Sequence, residues 1–326
     1  MPSKRTERAT IDKQKSNGAL AHRSTRRPTV SIVGAGRLGT ALGLALAHCG
    51  YHIEAVVAHR KSHARRAAQL IQTAPLVLSA AELDRLPASD LLFITTPDDL
   101  IKETASRIAA EMRETAQGCT ALHTSGALSS DELHSLRNVG FRVGSMHPLV
   151  AVTEAHAGAE SLRRAFFCIE GERQALSAAR RIVRDLGARA FHINAKEKAL
   201  YHAAAVTASG HMVALFDIAT EMLAGCGLKE REARAILMPL VRSTLDNLAL
   251  HEPAQALTGT FARADAATVR RHLEAIRRKK MTDALAVYIL LGKRSLRLAK
   301  KRGAKADALE AILKSLDDAV SNVSST

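Results

Sequence analysis

The sequence predicts an α/β protein: an N-terminal, mostly parallel, doubly wound sheet domain followed by an all-α C-terminal domain. Three observations carry this expectation. Between residues 29 and 194, short β-branched apolar runs alternate with amphipathic helical stretches, the pattern of βαβ units. The first of these runs passes directly into a glycine-spaced turn. After Asn194 the strand-like runs stop, and long Ala-rich helical patterns take over. The expected organisation is a basic tail over 1–28, a dinucleotide-binding sheet domain over 29–194 and a helical substrate and dimerisation domain over 195–326.

The opening unit is Val30-Ser31-Ile32-Val33-Gly34-Ala35-Gly36-Arg37-Leu38-Gly39. Gly34 permits the tight turn, Gly36 lets backbone approach a pyrophosphate, and Gly39 lets the next helix pack on its strand. The free N–H groups where Arg37 and Leu38 open that helix then face the anion. The helix from Leu38 to Cys49 carries Leu38, Leu42, Ala45 and Leu46 on one face and stops near Gly50. A second apolar run, Ile53 to Ala58, completes strand, turn, helix and strand, the setting a dinucleotide-binding fingerprint needs.

The loop after the second strand chooses the nucleotide. A carboxylate there would bind the ribose hydroxyls of NAD. Instead the run continues His59-Arg60-Lys61-Ser62, with Arg65 and Arg66 one turn on, and Glu54 lies at the other end of the strand. His59 and Arg60 suit a 2′-phosphate, so NADPH is expected in preference to NADH.

Further along, a helix is expected over 61–72, a strand at Leu76–Leu78 and a small helix over 79–86. The apolar run from Asp90 ends in Thr95-Thr96-Pro97, which places those three residues at the cofactor crevice, with Asp98 or Asp99 capping a helix to about Met112. A strand over 119–123 delivers Thr124-Ser125-Gly126 into a loop. Phe141 to Leu149 reads as a strand followed by His147, held in a turn by Pro148. Two further strands are expected at Ala165–Glu170 and Ala190–Ile193, around a helix over 173–186. The helical candidates beyond are 196–224, 229–251 with a kink at Pro239, 265–280, 281–302 and 305–323. Leu285, Tyr288, Ile289 and Gly292 form an apolar face suited to a partner subunit, so a homodimer through the helical domain is expected.

At 326 residues with 47% hydrophobic content the chain can bury a large core. No run of about 18 apolar residues is read, so a cytoplasmic protein with no membrane partner is expected. Cys49, Cys119, Cys168 and Cys226 have no metal or redox spacing and read as reduced thiols. The net charge of +15 concentrates in residues 1–28 and 265–302; the remainder carries 27 residues of each sign. The tail composition reads as disordered. With only 3% aromatic residues the chain lacks stacking platforms, which argues against nucleic acid as a partner.

Lys198, Tyr201 and His202 fall at i, i+3 and i+4, so they share a helix face where the sheet ends. Lys198 is the preferred acid/base, with His202 beside it and His147 as a further candidate. Ser125 and Gly126 could hold a substrate carboxylate through a hydroxyl and a backbone N–H, with Tyr201 nearby; His123 is less clear. Neither H-E-x-x-H nor clustered carboxylates occur, so no catalytic metal is expected, and a Ser-centred nucleophile elbow is absent.

Four segments, His123-Thr124-Ser125-Gly126, Gly144-Ser145-Met146-His147-Pro148-Leu149, Lys198-x-x-Tyr201-His202-Ala203-Ala204-Ala205 and Ile236-Leu237-Met238-Pro239-Leu240, carry a family resemblance. Over roughly residues 29–280 the chain resembles Rossmann-like oxidoreductases with a C-terminal helical domain of unknown function. These are related to pyrroline-5-carboxylate reductase and the 3-hydroxyisobutyrate and 6-phosphogluconate dehydrogenases. The resemblance implies hydride transfer between a nicotinamide and a small carboxylate-bearing carbonyl, hydroxy acid or imine, with Lys198 and the Ser125-Gly126 loop as catalytic and substrate-binding parts. His202 stands where hydroxyacid dehydrogenases have Asn, and Gly210 where an Ala-Ser-Asn-His segment has Asn. The His147-Pro148 pair is similar to one in prephenate dehydrogenases, and ketopantoate reduction is a related alternative. An NADP-binding sensor or scaffold without turnover is the alternative of another class.

Overall fold

The structure is a computed structural model that describes residues 27–112 and 117–321; residues 1–26, where most of the tail expectation falls, lie outside the described residues, as do 113–116 and 322–326. Contacts divide the chain into two compact units, 1–205 and 206–326.

The first unit is built on eight strands: β1 (Thr29–Val33), β2 (His52–Ala58), β3 (Leu76–Ser79), β4 (Leu91–Ile94), β5 (Thr120–His123), β6 (Arg142–Pro148), β7 (Phe166–Gly171) and β8 (Arg189–His192). They lie in the order β3-β2-β1-β4-β5-β6-β7-β8. Every neighbouring pair is parallel except β6 with β7. The helices are α1 (Arg37–His48), α2 (Lys61–Ile71), α3 (Asp98–Glu111), α4 (His134–Asn138), α5 (Ala155–Leu162), α6 (Arg173–Asp185) and α7 (Lys198–Ala208).

Two apolar cores explain why the strands read as unbroken hydrophobic runs. Leu42 and Leu46 of α1, Leu162 of α5 and Ile182 of α6 pack on one face of the sheet, around Ile32, Phe93 and Phe167. Ile101 and Ile108 of α3 and Leu136 of α4 pack on the other, around Ile94, Ala121 and Val143. Covered on both sides, these strands have no solvent face on which to alternate.

Two sequence expectations change. His147 and Pro148 do not form a turn after a strand; they are the last residues of β6, opposite Cys168 and Phe167 of antiparallel β7. Pro148 is tolerated there because it ends the strand, and the ladder resumes through Leu149 N–H to Phe166 O at 2.9 Å. The single helix expected over 196–224 is interrupted at Ser209, whose backbone (φ −120°, ψ −71°) leaves the helical region. By length and composition the stretch Ala195–Ala224 would suffice to cross a membrane, which corrects the expectation that no such run exists.

The second unit contains α8 (Gly210–Ala224), α9 (Glu230–Leu250), α10 (Pro253–Ala256), α11 (Gly259–Ala262), α12 (Ala266–Arg278), α13 (Thr282–Lys301) and α14 (Ala306–Ser321). Leu285 and Ile289 of α13 join Val269, Leu273, Ile312 and Leu316 in its core. A Cβ on Gly292 would meet Phe261 at 3.0 Å and Leu316 at 3.2 Å. The α13 face expected to meet a partner subunit is therefore closed within the chain by α11, α12 and α14. Apolar side chains stand exposed instead on α8 and α9, where Val213 is 68%, Leu240 65% and Leu250 78% accessible.

The antiparallel β6–β7 pair that carries His147 rests on one glycine. Gly171 has φ +131°, and a Cβ there would lie 2.5 Å from Gly144 Cα and 2.7 Å from Val143 O. Gly171→Ala is expected to destabilise the fold by about 2 kcal/mol, read as a lower urea midpoint by circular dichroism. An unchanged midpoint would show that the pair can shift to admit a methyl group.

Candidate active site

The glycine turn is held by contact with the end of β4. Gly34 has φ +112°, and a Cβ would sit 2.5 Å from the carbonyl carbon of Thr95 and the nitrogen of Thr96; a Cβ on Gly39 would sit 2.4 Å from Gly34 O. The Thr95 hydroxyl donates to Gly34 O at 2.7 Å and so turns inward, bracing the loop. Gly36 differs: the nearest atom to a Cβ there is 3.9 Å away, and the α1 N-terminus at Gly36 has no side-chain cap. Among the described residues, the buried Thr96 hydroxyl has no hydrogen-bond partner. Open backbone at a helix start beside an orphaned hydroxyl suits a dinucleotide pyrophosphate, so the residues fit the group their motif implies.

At the end of β2, His59 and Arg60 are exposed and α2 begins at Lys61 without a side-chain cap. Lys61 is already held by Glu82 at 2.6 Å, which together with Ser79 draws the Glu82 carboxyl down to about 2. Arg60 has no such carboxylate partner among the described residues. Glu54 lies at the far end of the strand, accepting from Ser89 at 2.8 Å, as expected.

A cavity of about 320 Å³ joins this turn to the ends of β5 and β6, lined by Arg37, Leu38, Asp98, Ser125, Gly126, His147 and His202 among others. His147 and His202 meet edge to face with ring centres 5.7 Å apart. Gly126 makes room for them: a Cβ there would lie 2.5 Å from His202 and 2.9 Å from His147 Nε2. His147 Nδ1 hydrogen-bonds the Tyr201 hydroxyl at 2.7 Å, which leaves Nε2 on the Gly126 side. Burial, reinforced by His202 and Lys198, pushes His147 down to about 4. Burial pushes the Tyr201 phenol above its ordinary value, so it stays protonated.

Lys198 does not line this cavity. Only 1% exposed, its ammonium donates to Ser125 O at 3.0 Å and to the Ser145 hydroxyl. Burial lowers its pKa, opposed by Glu170, Cys168 and Asp98. The Ser125 hydroxyl is also engaged: it donates to Asp98 Oδ2 at 2.8 Å and accepts from Ala127 N–H at 3.2 Å and Leu128 N–H at 3.0 Å. His123, fully buried at the end of β5, accepts from Ser125 N–H through Nδ1 at 3.2 Å and donates through Nε2 to Ser129 O at 3.0 Å. Burial and nearby Lys198 push it down to about 3. It is a structural histidine that shapes the Ser125-Gly126 loop.

Sequence reasoning gave no role to Asp98 beyond helix capping, nor any to Ser145 or Glu170. Glu170 is buried opposite Ser145 and accepts from Ser130 N–H at 2.9 Å and from the Ser130 hydroxyl at 2.7 Å. Its one signal in the sequence is a carboxylate closing the apolar run Phe166-Phe167-Cys168-Ile169.

Residues 13–148 match the model of a Rossmann-like domain, and residues 165–295 match that of a domain of unknown function, DUF2520. The two matches follow one another along the chain, the Rossmann-like model first and the DUF2520 model after it. Among solved structures it is similar to a Bacteroides fragilis protein provisionally assigned as an NADP oxidoreductase, at 20% identity and TM-score 0.66 over 83% of this chain and 98% of that one. A Thermotoga maritima protein matches at 22% identity and TM-score 0.64 over 84% and 99%. A reductive aminase from Aspergillus terreus, in complex with NADPH and ethyl-5-oxohexanoate, matches at 16% identity and TM-score 0.54 over 91% and 95%. No curated protein matches. At these identities the likenesses establish the Rossmann-like fold followed by helices.

The low His147 value carries a sign. A group whose folded pKa lies below its unfolded one adds stability above the unfolded value, near 6.5, and loses it as pH falls toward 4. In a proton NMR titration the His147 ring is expected to stay neutral until pH approaches 4. A midpoint near 6.5 would mean that water reaches the ring freely.

Proposed function

We propose that this chain is an NADP-dependent oxidoreductase that moves hydride between the nicotinamide and a small carboxylate-bearing carbonyl or imine. The observation that carries the reading is the cavity of about 320 Å³, which runs from the uncapped start of α1 to the His147–His202 pair. The fold relatives named for NADP chemistry, and one with NADPH and a keto ester bound, support it.

Gly34, Gly36, Gly39 and the first N–H groups of α1, with Arg37 and Leu38, would hold the pyrophosphate; Thr96 and Pro97 would lie along the crevice; His59 and Arg60 would take the 2′-phosphate. When bound, the nicotinamide supplies or accepts the hydride. His147 handles the proton. Its Nδ1 is fixed by Tyr201 and its Nε2 lies beside Gly126, where it can donate to a carbonyl oxygen or imine nitrogen. Buried and neutral when the cavity is empty, it gains basicity when a substrate carboxylate brings negative charge alongside, so the proton is recruited with the substrate. Arg37 offsets the remaining charge of that carboxylate.

Lys198, expected from sequence as the acid/base, is better suited to positioning. Its ammonium ties α7 to the Ser125-Gly126 loop and β6 at once, which sets His202 and Tyr201 against His147. Ser125 likewise shapes the loop from which Gly126 faces substrate.

His147→Asn is expected to lower kcat/KM for NADPH-dependent reduction of a responsive 2-keto acid or cyclic imine by about 100-fold or more, with NADPH affinity unchanged. Equal turnover would remove His147 from the chemistry. Arg60→Ala is expected to weaken NADPH about tenfold and leave NADH binding as it was, by fluorescence titration; equal effects on both would discard the 2′-phosphate role.

We further propose that the exposed apolar side chains of α8 and α9 bury against a second copy of this chain. Light scattering should give a dimer mass in buffer without detergent, and Leu240→Glu should yield a monomer. A monomeric wild type that partitions into liposomes would assign that face to a lipid surface instead.

A further inference from the structure

At the N-terminal edge of the sheet, the end opposite the cavity, lies a second and larger groove of about 1150 Å³. Its floor is the starts of β1, β4, β5 and β6, and one wall is α6. Five guanidinium groups line it: Arg27 where the described chain begins, Arg142 at the start of β6, and Arg180, Arg181 and Arg184 on α6. Two carboxylates, Glu54 and Asp90, share the groove, and both are already engaged. Asp90 accepts from Thr29 N–H at 2.8 Å and Glu54 from the Ser89 hydroxyl at 2.8 Å.

The arginines are not neutralised from within. Arg27 pairs with Asp185 at 2.5 Å, and Asp185 also accepts from the Tyr51 hydroxyl at 2.7 Å. That uses the one acid of α6. Among the described residues no carboxylate lies within ion-pair distance of Arg142, Arg180, Arg181 or Arg184. Arg180 and Arg184 are four residues apart, and Arg181 and Arg184 three, so they repel one another on the helix surface. Macrodipole attraction accounts for a cation in the last turn of α6 but not for Arg142 on the groove's floor. Guanidinium forks arrayed on the floor and the α6 wall suit the tetrahedral, multiply charged oxygens of phosphate groups. The chain also arrives at this groove from a basic segment: the 26 residues before Arg27 hold seven Lys or Arg against two acids.

The geometry points to a second anion site in this groove, separate from the dinucleotide turn, that takes a ligand bearing several phosphate groups. Its chemistry is common to a free polyphosphorylated small molecule and to a nucleic-acid backbone, and the test separates the two.

The full chain would be titrated, at 150 mM salt, with inorganic tripolyphosphate by calorimetry and with a fluorescein-labelled single-stranded 16-mer by anisotropy. Arg181→Ala/Arg184→Ala is expected to weaken the probe that binds at least tenfold, as is Arg142→Glu on the groove's floor. The matched surface pair Arg294→Ala/Arg297→Ala on α13 and the turn variant Arg37→Ala should leave that probe's affinity within twofold. Binding of tripolyphosphate assigns a small phosphoanion; binding of the 16-mer alone assigns a nucleic-acid backbone, with an affinity that falls steeply with salt. The proposal is overturned if neither probe binds, if the α13 pair costs as much as the α6 pair, or if only Arg37→Ala weakens binding. Because the groove variants leave the dinucleotide turn untouched, NADPH affinity should not move in any of them.

Discussion

The buried ammonium of Lys198 is the contact on which the candidate site depends. It is the first residue of α7, and its hydrogen bonds reach the β5 loop through Ser125 O and β6 through the Ser145 hydroxyl. A cation this deeply buried is costly unless its donors are satisfied, so these bonds hold helix, loop and strand to one arrangement. Tyr201 and His202, one turn on, thereby come within reach of His147. Glu170, Cys168 and Asp98 all favour the charged form of Lys198. The polar layer around it is a framework for the imidazoles of His147 and His202, which line the cavity.

The dinucleotide turn obeys a steric version of the same logic. Gly34 and Gly39 are packed against Thr95 so closely that no side chain fits, while Gly36 looks onto open space. Three glycines of one motif therefore have different reasons to be glycine: two are demanded by the protein and one by what approaches it. Thr95 and Thr96 divide in the same way, the first bonded to the loop and the second left with an unused hydroxyl.

The candidate site was legible in its residue types and only partly in its roles. Lys198, Tyr201 and His202 do share one face, as their spacing requires, and Ser125, Gly126 and His147 do gather beside them. What spacing could not show is depth. Lys198 points under the loop where His202 points into the cavity, because the loop's carbonyl and Ser145 present acceptors there. Ser125 lost its availability to Asp98, a partner 27 residues away that no local pattern announces. Charge was hidden in a like manner: equal numbers of each sign over the core conceal four arginines that one groove brings together with Arg27.

By itself the sequence determined the alternation of strands and helices, the glycine turn with its basic successor loop, and the change to helices past Asn194. Each of those is a short-range matter of backbone freedom, periodicity and end signals. Tertiary structure decided the rest. It placed His147 within a strand because antiparallel β7 returned to pair with it, and it broke the long helix at Ser209. It turned Leu285 and Ile289 inward because α12 and α14 closed over them. These outcomes turn on which distant segment arrives with a matching surface or acceptor, and such pairings exist only once the chain is packed.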